Sequence, residues 1–124
     1  MVSEQLAGCL ILKNDGLLLV RKKNKDYFEL PSGTFSEKNN PEEIAINETT
    51  KQTGIKPLVL QQFGIVEFRE ENKNCEVVVY ECSVDPSTSE LIPGENMEEV
   101  KWIKFAEIKN IKVSEEVSLV IDEL

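Results

Sequence analysis

The run NNPEEIAINETTKQTG, residues 39–54, carries both a start and a stop for one helix. Asn40 offers a side-chain oxygen to the free N–H groups of a first turn. Pro41 suits the first helical position, and Glu42 and Glu43 suit the positive end of the helix dipole. Gly54 is a natural left-handed cap, so the helix is expected to run through EEIAINETTKQT and end there. Ala45, Ile46 and Thr49 form a side that can pack on a sheet, whereas Glu48, Lys51 and Gln52, spaced i, i+3 and i+4, share another face.

Strand-like runs flank this helix. LAGCLILKNDGLLLVRKK reads as two strands around the turn signal Asn14-Asp15-Gly16, and YFELPSG as a short strand breaking at Pro31. TFSEKNN is expected as loop. PLVLQQFGIVEFRE and CEVVVYECSV read as longer strands joined by the polar turn ENKN, and DPSTSELIPGENMEE, residues 85–99, as a long polar loop. VKWIKF is a strand and AEIKN a helical turn. SEEVSLVIDEL is a terminal helix capped by Ser114, with Val117, Val120, Ile121 and Leu124 on one face. Strands, helix, strands, helix in that order predict an α/β (α+β) chain with a mixed β-sheet and helices packed against it. A length of 124 residues without repeat or linker suits a single domain, 1–124.

Composition removes several chemistries. Apolar residues make up 40% and charged residues 30%, a globular balance, and no apolar run approaches a membrane span. The N-terminal stretch lacks a basic region, so cytoplasmic localisation is the expectation and a membrane partner is not. Cys9, Cys75 and Cys82, an odd number without Cys-x-x-Cys spacing, read as reduced thiols in strands. The chain has no histidine, which excludes histidine triads and histidine general bases. A net charge of -9 argues against a nucleic-acid polymer as partner, but not against a small phosphorylated ligand held by a local cluster of donors. Trp102 and Phe105 are expected in the core. A homodimer is compatible with the sequence but not required by it.

ELPSGTFSEKNNPEEIAINETTKQTGI resembles the Nudix box, Gly-x5-Glu-x7-Arg-Glu-U-x-Glu-Glu-x-Gly-U, where U is a bulky aliphatic residue. With the first glycine on Gly33, the closing pair falls on Gly54 and Ile55 without a gap. FELPSG is similar to the WELPGG of that family, and LLLVRKK and EEVKWIKFAEI resemble its flanking strands, so the likeness spans nearly the whole chain. It implies a Nudix-type (MutT-like) α/β/α sandwich, and a cleft for nucleotides or nucleoside-diphosphate derivatives. In an active member, Mg2+ or Mn2+ assists cleavage of a diphosphate linkage.

The departures fall on the functional positions. Asn39 and Asn47 replace the loop acid and the arginine, Lys51 and Gln52 the last two acids, Thr49 the aliphatic residue, and Ser32 a glycine. Losing arginine and loop acid together leaves neither charge unpaired. Glu48 alone retains its acid and is the residual catalytic and metal-ligand candidate, although a surface pair with Lys51 is the plainer reading. A second metal ligand is sought among the late acids Glu95, Glu98 and Glu99, with Glu98 named and a solvated loop as the ordinary alternative. Substrate-binding candidates are Arg21, where the family places phosphate-facing basic residues, and Glu29, for which a structural role is the plainer reading. Ser32 and Gly33 join them because small residues let backbone groups approach a phosphate.

Magnitudes weigh against a family-type ion. Lys51 lies about 5–6 Å from Glu48, one helical turn away. At an effective dielectric near 20 that repels a divalent ion by roughly 6 kcal/mol before screening, whereas a millimolar site has only about 4 kcal/mol of binding free energy. The sequence therefore implies a degenerate box: a nucleotide-binding protein with lost or weak hydrolysis. Its rivals are an active divergent pyrophosphohydrolase using Mg2+ or Mn2+, and a protein-interaction domain with a vestigial cleft.

Overall fold

The computed structural model describes residues 2–85, 87 and 90–124. β1 (Glu4–Lys13) and β2 (Gly16–Lys22) form the expected hairpin, with Leu12 opposite Leu17 and Lys13 opposite Gly16. Asn14 takes the positive φ of 56° that so short a connection demands. β3 (Ser32–Thr34) is followed by helix α1 (Pro41–Thr53), then by β4 (Leu58–Glu70), β5 (Lys73–Ser83) and β6 (Met97–Lys104). Two helices close the chain, α2 (Phe105–Ile108) and α3 (Glu115–Asp122).

The sheet is mixed, in the order β4-β5-β1-β2-β6, with β3 paired to β1. β1 runs parallel to β5, while the other pairings are antiparallel. Helices cover both faces, so the central strands are buried on both sides and read as unbroken apolar runs. Leu10, Leu17, Leu19, Val77 and Val79 face the layer holding Val117 and Val120 of α3. Their neighbours Ile11, Leu18, Val20 and Val78 face the layer holding Ala45 of α1. Cys9, Cys75 and Cys82 are buried free thiols of β1 and β5.

Four expectations need revision. YFELPSG is not one strand. Pro31 splits it into isolated bridges at Phe28 and Glu29 and a strand that starts at Ser32 and extends to Thr34, in the segment expected as loop. Proline lacks an N–H, yet its carbonyl still accepts the Cys9 N–H at 3.0 Å. The expected loop 85–99, which spans the undescribed residues 86, 88 and 89, ends earlier: Glu98 and Glu99 belong to β6, opposite β2. Ser114 occupies the N-cap of α3 but makes no side-chain cap bond, and the buried face of that helix is rotated. Glu116 joins Val117 and Val120 inside, while Leu124 is exposed. Phe105 is likewise exposed, whereas Trp102 packs half-buried against the α1 layer.

Candidate active site

β1 changes partner along its length, pairing with β2 at Leu12–Lys13 and with β3 at Leu6–Gly8. Where β2 leaves it, a cleft of about 650 Å³ opens. Its walls are the β3 backbone, the last turn of α1, the segment 94–97, the ends of β2 and β4, and the start of α3. The volume lies within the ordinary range for small-molecule sites.

Capping positions the α1 wall. Asn40 Oδ1 accepts the Glu42 N–H at 2.9 Å and the Glu43 N–H at 3.4 Å. At the other end Gly54, with a φ of 81°, donates to Thr50 O at 2.9 Å. The late segment is stitched onto that end: Ile92 N–H donates to Thr53 O at 2.8 Å and Gly94 N–H to Gln52 O at 3.0 Å. Glu95 and Asn96 thereby reach the cleft beside Lys51.

Glu48 is held on three sides. Lys51 Nζ lies 3.5 Å from its Oε2, Gln52 Nε2 donates to its Oε1 at 3.4 Å, and Gly33 lies under its side chain. Gln52 is not on an exposed face with Lys51; it is buried and donates to Ser32 O at 2.9 Å, locking the last turn of α1 to β3. Gln52 Oε1 is buried without a hydrogen-bond partner among the described residues.

Of the expected site residues, Glu48, Ser32, Gly33 and Glu29 line the cleft. Arg21 and Glu98 are not in its lining. The β2–β6 register shifts between Arg21 and Lys22, and of the two only Lys22 lines the cleft. Arg21 pairs across the sheet with Glu99 Oε1 at 2.9 Å, which holds the Glu99 carboxyl below its usual range. Glu98 is exposed on β6, and the late acid in the cleft wall is Glu95. Asn39 Oδ1 accepts the Ser36 N–H at 3.0 Å in a local turn, and Asn47 is exposed.

Six of the lining residues are glutamates, against the lysines Lys22 and Lys51. Lys22 Nζ stands 3.4 Å from Glu29 Oε1. Burial raises the Glu29 carboxyl above its usual range, with Lys22 opposing the rise. Glu70 Oε1 accepts the Tyr27 hydroxyl at 2.8 Å. Glu70, Glu116 and Phe68 are lining residues that sequence reasoning missed. For Glu116 the signal was available: it lies one turn before the apolar Val120, on the side of α3 that packs.

The model of the NUDIX domain matches residues 4–123. The chain belongs to the Nudix family. Among solved structures it is similar to a MutT Nudix hydrolase from Burkholderia pseudomallei, with a TM-score of 0.81 and 14% identity over 98% of this chain and 97% of that one. An Ap4A hydrolase from C. elegans gives 0.78 and 15%, over 97% and 93%. A bifunctional NMN adenylyltransferase/ADP ribose pyrophosphatase from Francisella tularensis, complexed with AMP and a Mn ion, gives 0.75 and 22%; the match covers 97% of this chain but 41% of that one. At such identities these likenesses establish the fold alone. Comparison with curated proteins finds no significant match.

The Nudix fold implies a divalent ion, and the α1 wall does not fit one. Beside Glu48 stand an ammonium group and a side-chain amide whose N–H points at the same carboxylate. Among the described residues no three Asp, Glu or Cys side chains are grouped closely enough to hold an ion together. Magnesium is held by oxygen ligands, and a neighbouring cation repels it.

Proposed function

We propose that this Nudix-family protein binds a nucleotide or nucleoside-diphosphate derivative in the cleft between α1, β3 and residues 94–97, with hydrolysis lost or weak. The observation that carries this reading is the occupation of Glu48 by Lys51 and Gln52, at 3.5 and 3.4 Å. A carboxylate already paired with a cation is a poor seat for a second one, and without that ion the charge on a pyrophosphate is not neutralised for attack by water. Binding needs less. Lys22 and Lys51 supply local positive charge, and the small residues Ser32 and Gly33 let a phosphate approach the β3 backbone. One structural relative is complexed with AMP and another is an Ap4A hydrolase, which supports a ligand of this class.

A second reading, a weak Mg2+- or Mn2+-dependent pyrophosphohydrolase, is favoured by Glu95 lining the same cleft as Glu48. Magnesium often takes only one or two carboxylates together with substrate oxygens.

The deciding experiment incubates the protein with nucleoside-diphosphate sugars, ADP-ribose, dinucleotides and nucleoside triphosphates in magnesium or manganese. Product release and thermal stability are followed together. The binding reading expects a rise in Tm with a nucleotide and no turnover, since a ligand selective for the folded state stabilises it by mass action. Turnover abolished by Glu48→Gln would overturn it in favour of the hydrolase. Silence in both measurements would leave a protein-interaction domain with a vestigial cleft.

A further inference from the structure

The cleft has a second chemical character away from Glu48. Glu116, from the first turn of α3, is 4% exposed and lines the cleft, and Glu29 beside it is 5% exposed. Burial is the main cause that pushes the Glu116 carboxyl up to about 7; the negative charges of Glu29 and Glu70 add to the rise, and the nearby Ser114 hydroxyl opposes it. Glu29, Glu70 and Glu116 all line the one cleft.

They are unequally served. Glu29 has the Lys22 ammonium at 3.4 Å, and Glu70 accepts the neutral Tyr27 hydroxyl at 2.8 Å. Glu116 Oε1 is buried without a well-formed hydrogen bond among the described residues, and the Ser114 hydroxyl, which acts on the same carboxyl, is likewise buried without one. Leaving a buried carboxylate oxygen unpaired is costly, so the group is built either to keep a proton or to meet a donor.

We infer that Glu116, with Glu29 and Glu70, forms a subsite for a primary ammonium group on the non-phosphate part of the ligand, an inference that rests on reading the cleft as a nucleoside-diphosphate site. The chemistry narrows the choice. A phosphate or carboxylate is repelled by three acids. A quaternary ammonium brings charge but has no N–H for the unpaired oxygen. A sugar hydroxyl or the amino edge of a base donates, but leaves the charges of Glu70 and Glu116 uncompensated, Lys22 being paired with Glu29. A primary ammonium supplies both charge and up to three donors, and charge-assisted hydrogen bonds are the stronger kind. Phe68 and Leu6, which also line the cleft, offer an apolar wall to the short alkyl stem such a group needs.

The test is calorimetry on the full chain at pH 8. The probes are the 2-aminoethyl, 2-trimethylammonioethyl and 2-hydroxyethyl esters of cytidine and adenosine diphosphates. The aminoethyl esters are expected to bind about ten- to a hundredfold more tightly than the other two, and Glu116→Gln to bring all three within about threefold by weakening only the aminoethyl ester. Glu70→Gln, which leaves α3 untouched, is expected to weaken the aminoethyl ester severalfold and spare the hydroxyethyl one. Equal affinity of the wild-type protein for all three esters overturns the ammonium subsite while the nucleotide-binding reading stands. Preference for one base over the other, removed by Glu116→Gln with no effect of the ester, assigns the acids to the base edge and also overturns it. Binding of none of the probes overturns both readings.

Discussion

Gly33 and Glu48 are in direct contact across the cleft wall: a Cβ on residue 33 would lie 2.2 Å from Glu48 Cγ and 2.9 Å from its Cδ. The hydrogen atom at position 33 is thus what allows the Glu48 side chain to lie against β3 and meet Lys51. Gly33→Ala is expected to drive the Glu48 side chain off the wall. Because a side chain rather than backbone must yield, the stability cost should be about 1 kcal/mol, near the lower end for overpacking. Chemical denaturation measures that cost, and nucleotide-induced thermal shift should fall more than stability does. An unchanged shift would separate Glu48 from the ligand site.

Gln52 is the rivet between α1 and β3, through its 2.9 Å bond to Ser32 O. Gln52→Leu removes this donor from a buried carbonyl but also removes the unpartnered Gln52 Oε1, so the net loss should be about 1 kcal/mol. Gln52→Glu is expected to cost more, about 2–3 kcal/mol, because a buried anion then faces both the Ser32 carbonyl and Glu48. Urea unfolding at neutral pH orders the two variants. Equal losses would mean that the pocket around residue 52 is wetter than its burial indicates.

The helix and its caps were legible because they depend on local chemistry. Asn40, Pro41 and Gly54 each act through backbone groups within a few residues of themselves. The hairpin at Asn14-Asp15 was legible for the same reason, as were the doubly buried strands. What required three dimensions was facing. Periodicity grouped Gln52 with Lys51, but the approach of β3 buries Gln52 and leaves Lys51 in solvent. Between the neighbours Arg21 and Lys22 the β2–β6 register shifts, and of the two only Lys22 lines the cleft, a difference that neighbouring positions in the sequence do not reveal. Glu116 escaped notice because an acid in a first helical turn is ordinarily a dipole-matching surface residue. The packing of α3 against β4 turns it inward, on the side that its spacing to Val120 already marked.

Gly54 joins two parts of the site. Its positive φ of 81° closes α1, and a Cβ there would approach Ile92 Cβ to 2.9 Å. Gly54→Ala should cost about 1–2 kcal/mol, through the left-handed conformation and the crowding of the 92–94 segment. Hydrogen exchange gives the sharper readout. The amides of Ile92 and Gly94, bonded to Thr53 O and Gln52 O, are expected to lose protection while β1 and β5 amides keep theirs.

Glu116 makes stability depend on pH in a stated direction. Its carboxyl, held at about 7 by burial, keeps a proton that the unfolded chain has already released. Between roughly pH 4.5 and 7 the folded state therefore binds more protons than the unfolded one, and stability falls as pH rises. The penalty is absent below that window and complete above it. Glu116→Gln should thus unfold at higher urea than the wild type at pH 8, by up to about 2–3 kcal/mol, with the gap closing towards pH 4. A gap that is constant with pH would show that the gain comes from something other than removing a buried charge.

Restoring the acids tests the placement of the whole box. The variant Asn39→Glu, Asn47→Arg, Lys51→Glu and Gln52→Glu replaces the ammonium and amide around Glu48 with carboxylates. It also sets an arginine on the exposed face of α1. In a chelator this protein is expected to be less stable than the wild type, since carboxylates at positions 48, 51 and 52 would repel one another on one helical turn. Millimolar manganese should reverse the loss, because an ion bound only by the folded state raises its stability by RT ln(1 + [L]/Kd), about 1.4 kcal/mol at ten times Kd. The wild type should show little such response, its Glu48 being already paired with Lys51. A variant whose Tm ignores manganese would mean that residues 39, 48, 51 and 52 do not stand in the frame assigned to them, and the inference from Lys51 to weak hydrolysis would fall with it.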